Sequence, residues 1–338
     1  MSTRRRITAA VVVATALLAG VIGCGGSRSS STQKVTVVLD WTPNTNHTGV
    51  YLAKQQGVYT TAGLNVDIIE PDQAGGLAQV AAGNAQFAFS YAEQVLPVRA
   101  QGTPIVSIAT VLRTNTSSLV SPVDRKITRP RDLAGKTYGT FGGPIEEPLI
   151  KALVACDGGD PTTVAFVDVG NADYNVGFRK KAYDAVWVFD GWDVIRLREL
   201  EAMAVTTIPF YGVGPASCLP DWYTPLVATS QQLIDEDPDL VRAFMKATAA
   251  GYEAARTDPE AAAGALLAAA PELDADLVTR SAVYLSSRYG DPGQPWGVQR
   301  PDTWSDFAAF LVKNALLSPK VDAAAAFTND FLPKATTS

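Results

Sequence analysis

The chain has 338 residues, 47% of them hydrophobic and 18% charged, with a formal net charge of −6. That length and apolar content exclude a disordered or fibrous chain and leave room for two domains of ordinary size. The acidic balance, with no basic cluster after the first residues, argues against nucleic acid as a partner, because such binding rests on neutralising phosphates with grouped cations.

Arg4, Arg5 and Arg6 precede an uncharged apolar run, Ile7 to Ile22. A basic start and a short apolar stretch make a secretory signal, too short for a membrane span. The phrase Val21-Ile22-Gly23-Cys24 resembles a bacterial lipobox. Residues 1–23 are therefore expected to be a lipoprotein signal peptide, Cys24 the lipidated residue and residues 24–34 a flexible tether rich in Ser and Gly. The product would sit at the cell membrane, anchored by lipid on the extracytoplasmic face. A plain cleaved signal with an incidental Cys24 is the alternative. In an oxidising compartment the remaining cysteines, Cys156 and Cys218, are expected to pair, with two separate buried thiols as the other option.

After the tether, strands and helices alternate. Strands are expected over Val35–Leu39, Leu64–Glu70, Phe87–Ser90 and Ile105–Leu112, with helices over Thr48–Gln56, Gly76–Ala82 and Ala92–Gln101. From Thr114 to Arg131 the texture turns polar and Pro-containing. A second unit then runs through strand Thr137–Gly139, helix Glu147–Cys156, strand Val164–Val169, helix Asp173–Lys181 and strand Ala185–Phe189. Pro-rich stretches Ile208–Pro215 and Leu219–Pro225 lead to one more strand, Leu226–Thr229. The rest reads as helices: Asp239–Thr257, Pro259–Ala270, Asp274–Ser287 and Asp302–Leu317.

This alternation implies an α/β protein with mostly parallel sheets. The strandless tail has to return to the first unit. Lobe 1 is thus expected to be discontinuous, 35–120 and 222–338, with lobe 2 at 121–221. Crossings fall near Leu119–Val123 and Leu219–Pro225, and two crossings make a hinge with a cleft between the lobes.

The signatures of catalysis are missing: no Gly-x-Ser-x-Gly elbow, no phosphate-cradling loop, no Cys-x-x-Cys, and a single His for any metal site. No catalytic residue, metal or other cofactor is expected. The candidates at strand ends are instead aromatic, amide and carboxylate groups, placed where ligands sit in open α/β sheets. From the first lobe come Trp41, Asn44, His47, Ser90, Tyr91 and Glu93. From the second come Gly142 and Gly143, whose free N–H groups can receive an acceptor, then Asn171, Tyr174, Trp187, Asp190, Trp192 and Asp193. Aromatic faces stack on flat rings and carboxylates accept from ring amines, so the set suits a small nitrogen heterocycle better than an anion. Each has an ordinary alternative: core packing for Trp41 and Trp187, a local turn bond for His47, solvation for Asp190 and Asp193, a bare turn for Gly142–Gly143, helix-start charge for Glu93.

Beyond these groups, Leu39-Asp40-Trp41-Thr42-Pro43-Asn44 with His47 and Gly49 resembles solute-binding proteins for thiamine pyrimidine precursors. So do Gly57-Val58-Tyr59 with Ala62-Gly63-Leu64, Asp132-Leu133-Ala134-Gly135-Lys136, Gly191-Trp192-Asp193 and Phe327-Thr328-Asn329-Asp330-Phe331-Leu332-Pro333. The resemblance covers nearly everything after the tether. It implies a two-lobed periplasmic-binding-protein fold of type II with a hinge, a monomer, and delivery of a formylaminopyrimidine or hydroxymethylpyrimidine to an ABC permease. It also implies that Trp41, Asn44 and Asp193 hold the pyrimidine; the family more often has Glu at the last position, which opens the ligand's identity. A related branch binds riboflavin. Another is the enzyme that makes hydroxymethylpyrimidine phosphate, which carries a Cys-rich segment where this chain has only Cys156 and Cys218.

Overall fold

The computed structural model describes residues 32–169, 174–211, 219–291 and 293–334. Among them, strands β1 (Gln33–Val38), β2 (Leu64–Ile69), β3 (Phe87–Ser90) and β4 (Ile105–Thr110) build a first sheet. Strands β5 (Ser117–Pro122), β6 (Thr137–Thr140), β7 (Ala165–Asp168), β8 (Ala185–Phe189) and β9 (Val205–Pro209) build a second. Strand β10 (Leu226–Ser230) returns to the first. The orders are β2-β1-β3-β10-β4 and β7-β6-β8-β5-β9.

The two sheets share one plan. In each, a central strand (β1, β6) has parallel partners on both sides, and one strand that has just crossed over (β10, β5) enters antiparallel. The result is the expected α/β architecture of two lobes with mixed sheets. The first crossing lies at 111–116, ahead of the expected Leu119–Val123, and the boundary at 120–121 falls inside β5. That strand reads as loop because Ser117, Ser118 and Ser121 fill three of its five buried positions, at 2% exposure or less, beside Leu119 and Val120. Their hydroxyls are largely spoken for: Ser121 donates to the Asp184 carbonyl at 2.7 Å and Ser117 to Asn115 Oδ1 at 2.5 Å. Strand β1 also starts at Gln33, paired with Leu64, two residues inside the expected tether.

Helices α1 (Thr48–Gln55), α2 (Val58–Thr61), α3 (Gly76–Ala81) and α4 (Ala92–Ala100) belong to the first lobe, α5 (Glu146–Cys156) and α6 (Tyr174–Arg179) to the second. The tail supplies α7 (Gln231–Glu236), α8 (Pro238–Thr257), α9 (Pro259–Ala269), α10 (Ala275–Ser286) and α11 (Pro301–Lys313). Two start on Asp-Pro: Asp237 caps the Leu240 N–H at 3.1 Å and Asp258 the Ala261 N–H at 2.9 Å, while Pro at the first helical position gives up no useful donor. Helices α1 and α8 cross where Gly49 faces Gly251; a Cβ on Gly251 would lie 2.1 Å from the Gly49 carbonyl oxygen.

Helix α8 covers the first sheet, with Phe244 stacked on Phe87 at 3.8 Å. A second core runs through both lobes, where Trp222 stacks on Phe307 at 5.0 Å and meets Trp187 edge-on at 5.8 Å. The tail also reaches the second lobe: the Ser281 hydroxyl of α10 meets the Gly191 carbonyl and Thr45 Oγ1, and Arg280 pairs with Glu199 at 2.9 Å. Cys156 is disulfide-bonded. Its expected partner Cys218, like Cys24 and the signal segment, lies outside the described residues.

Candidate ligand-binding cavity

The chain leaves β1 through a turn that its own side chains tie down. Asn44 Oδ1 accepts the Asn46 N–H at 2.9 Å and its amide donates to the Thr42 carbonyl at 3.0 Å, so the side chain caps the one-turn helix Thr45–His47. His47, fully buried, accepts the Asn44 N–H on Nδ1 at 3.2 Å. That leaves Nε2 to carry the proton toward Asp40 Oδ1, 2.5 Å away. The ring rests edge-on against Phe89 at 4.8 Å. Burial alone would raise the Asp40 carboxyl; the His47 ring and hydrogen bonds from His47 and Tyr91 outweigh it and hold Asp40 below its ordinary value.

A cavity of about 280 Å³ opens beyond Asp40. The first lobe lines it with Asp40, Trp41, Tyr91, Glu93 and Gln94, residues just past the carboxyl ends of β1 and β3. The second lobe adds Phe141, Gly143, Pro144, Ile145 and Glu146 after β6, Tyr174 from α6, Trp187, Val188 and Phe189 at the end of β8, and Asp193 beyond it. The strands of both sheets thus aim their carboxyl ends at one space, the arrangement that places ligands in open α/β folds. Rings from the two lobes meet there, Tyr91 and Phe189 with centroids 6.4 Å apart.

Four carboxylates and no Lys, Arg or His line this space. Glu146 accepts from Tyr138 Oη and Thr140 Oγ1, both at 2.8 Å, and from the Phe141 N–H at 2.9 Å, yet burial still raises its carboxyl. Asp193 is 4% exposed; burial pushes it up to about 7 against the pull of the Phe189 N–H, 3.1 Å from its Oδ2. Glu93 is pushed up to about 8, by burial first and then by Asp40 and Glu146. Among the described residues no group of His, Cys, Asp and Glu has a metal-holding arrangement.

Of the residues expected from sequence, Trp41, Tyr91, Glu93, Gly143, Tyr174, Trp187 and Asp193 line the cavity. Six others lie elsewhere, each for a local reason. Asn44 is turned into its own cap and His47 is covered by Asp40. Ser90 donates to Gln94 Oε1 at 3.1 Å. Gly142, at φ +79°, gives its N–H to Thr140 Oγ1. Trp192 packs, partly buried, against the first-lobe core. Asp190 lines a second cavity of about 570 Å³ with Arg198, Arg280 and Tyr284, and burial lifts its carboxyl to about 6. Asn171 lies outside the described residues. The sequence reading passed over Asp40, Phe141 and Glu146. Asp40 carries the same signal as Asp190, an acid directly past an apolar strand, whereas Glu146 stands one residue ahead of the expected helix Glu147–Cys156, where nothing in the sequence marks it.

Comparison with known proteins agrees with this architecture. The family described as NMT1/THI5 like matches residues 44–262. The chain is 28% identical over 318 residues to the formylaminopyrimidine-binding protein of Halalkalibacterium halodurans, covering 90% of this chain and 92% of that one. It is 24% identical over 316 residues to the 4-amino-5-hydroxymethyl-2-methylpyrimidine phosphate synthase of Legionella pneumophila (90% and 94% covered). It is 26% identical over 323 residues to the riboflavin-binding protein RibY of Chloroflexus aurantiacus (89% and 86%). Among solved structures, a Candida albicans gene product exhibiting the generic periplasmic binding protein fold superposes with a TM-score of 0.62 at 16% identity, over 90% of this chain and 98% of that one. The chain belongs to the NMT1/THI5-like family.

Proposed function

We propose that the protein is a solute-binding lipoprotein of an ABC importer, capturing a thiamine pyrimidine precursor of the formylaminopyrimidine or hydroxymethylpyrimidine type and presenting it to the permease without turnover. The observation that carries this reading is the lining of the cavity: aromatic walls from both lobes, four carboxylates, and no cationic side chain. Flat rings stack on such walls, and exocyclic amines satisfy carboxylates. Across about 10 Å at an effective dielectric of about 20, each like charge brought in would be repelled by about 1.7 kcal/mol per ionised carboxylate, which disfavours phosphate and sulfonate groups. The similarity to a formylaminopyrimidine-binding protein supports the same class.

Two neighbouring readings fare less well on the same site. A flavin shares the need for aromatic walls, but the pyrimidine edge of its ring presents two carbonyl acceptors around one N–H donor, a poorer match to four carboxylates than exocyclic amines. Turnover as in the synthase relatives gains no support from His47, the chain's one imidazole, which is fully buried behind Asp40.

Calorimetric titration with a formylaminopyrimidine, hydroxymethylpyrimidine phosphate and riboflavin tests the assignment. The expected order is formylaminopyrimidine first, with the phosphate ester at least about a hundredfold weaker, about 2.7 kcal/mol. Equal or tighter binding of the phosphate or of riboflavin would refute it. The anchor has its own test: Cys24→Ser should move the exported protein from the membrane to the soluble fraction, and full retention on membranes would sink the lipoprotein reading.

A further inference from the structure

The four carboxylates of the cavity differ in the company they keep. Asp40 takes hydrogen bonds from His47 and Tyr91. Glu146 takes three, from Tyr138, Thr140 and the Phe141 N–H. Asp193 takes the Phe189 N–H. Glu93, in the first turn of α4, has a buried Oε2 with no hydrogen-bond partner among the described residues. The indole Nε1 of Trp222 faces it, also buried and short of hydrogen-bond geometry.

Carboxylates crowded around one small space cannot all ionise, and the proton stays where the fewest donors stabilise the charge. On this count it stays on Glu93. We propose that Glu93 meets the ligand as a carboxylic acid, its O–H donating to a ring nitrogen, while ionised Asp40 accepts from an exocyclic amine next to that nitrogen. The inference rests on the heterocycle reading above and narrows it to rings that present a neighbouring acceptor and donor on one edge. A 4-aminopyrimidine has that edge; its 4-oxo counterpart presents the reverse, a donor at the ring nitrogen and an acceptor outside it.

The direction of the Glu93 titration agrees. Burial, then the charges of Asp40 and Glu146, raise the carboxyl to about 8 over the opposing pull of its own backbone N–H and the Trp222 indole. The other titratable groups facing this corner are Tyr91 just ahead of α4, His47 behind Asp40, and Tyr138 behind Glu146; Tyr174 and Asp193 complete the shared lining. Each is a carboxylate, a neutral hydroxyl or an imidazole already bonded to Asp40, so none offers Glu93 a counter-charge.

The test is calorimetry of the intact protein with 4-amino-5-hydroxymethyl-2-methylpyrimidine and its 4-oxo counterpart, from about pH 6.5 to about pH 9.5. Wild type should prefer the amino compound by about a hundredfold. Its affinity relative to E93Q, a ratio that cancels titration of the pyrimidine itself, should fall at least about tenfold across that range as Glu93 loses its proton. E93L, with no donor, should bind the amino compound at least about thirtyfold more weakly than E93Q at either pH. A constant wild-type to E93Q ratio, or equal binding by E93L and E93Q, overturns the Glu93 assignment alone. A folded wild-type protein that binds neither pyrimidine overturns the heterocycle reading and this inference together.

Discussion

Asp193→Asn separates the charge of a buried carboxylate from its shape. Asp193 is 4% exposed, and burial raises its carboxyl from 3.8 to about 7. Because the folded-state value lies above the unfolded one, the folded protein binds the proton more tightly between the two. Stability is therefore fully present below about pH 3.8 and is lost as pH rises toward 7. At about 1.36 kcal/mol per pH unit, ionised Asp193 costs the ligand-free protein about 4 kcal/mol, of which about 2.5 kcal/mol develops between about pH 5 and pH 8. Asn keeps an oxygen for the Phe189 N–H, 3.1 Å from Oδ2 in the native site, and cannot ionise. In calorimetric melts of the ligand-free protein the variant should unfold about 5–10 °C above wild type at about pH 8, with the gap narrowing toward pH 5. The same substitution should weaken ligand binding under the proposed function. Parallel pH profiles, or a variant less stable than wild type at pH 8, would refute the reasoning.

Asp40→Asn should do the opposite. Asp40 is held below its ordinary value by His47 and Tyr91, so its contribution is present above about pH 3.8 and lost only as pH falls through the lower folded-state value. Asn keeps an acceptor for His47 Nε2 but loses the charge that strengthens the hydrogen bonds from His47 and Tyr91, so at neutral pH the variant should lose about 1.5–3 kcal/mol, read as a lower denaturation midpoint in urea, and a midpoint equal to wild type would count against the reasoning. At the α1–α8 crossing, Gly251→Ala puts a Cβ 2.1 Å from the Gly49 carbonyl oxygen. Overpacking of about 1–3 kcal/mol should exceed the gain of about 1 kcal/mol that Ala brings to a helix, and a rise in stability would mean the helices do not approach so closely.

The fold was legible wherever burial left a periodic apolar signal. Strands β3 and β8 agree with their expected ranges residue for residue, because Phe87-Ala88-Phe89 and Ala185 to Phe189 are apolar and tightly bounded. Strand β5 was not legible: Ser117, Ser118 and Ser121 are as buried as valines would be, but their hydroxyls make them read as loop. Strand β9 hid beside the prolines of the second crossing. For the site, the rule that ligands gather past strand carboxyl ends found the right loops and could not choose among their side chains. The turn after β8 shows why. Residues Asp190–Val194 form a π-helical turn, which folds Asp193 back onto the Phe189 N–H and into the first cavity while Asp190 goes to the second and Trp192 to the core. Helical or extended spacing assumed from sequence would assign those three directions differently.

The placement of the costly carboxylates bears on how such a clamp would work. Glu93 stands at the start of α4 in the first lobe and Asp193 in the turn after β8 in the second, and each is raised by burial in the ligand-free protein. In water Asp193 would ionise at little cost; walled in by rings from both lobes, it ionises at a cost that a donor on a bound molecule would offset. A ligand that brings an acceptor to Glu93 and a donor to Asp193 removes both penalties only when the two lobes hold it at once. Under the proposed function, satisfying the carboxylates and drawing the lobes together would be one event, which would tie the pH dependence of stability to the chemistry of the ligand.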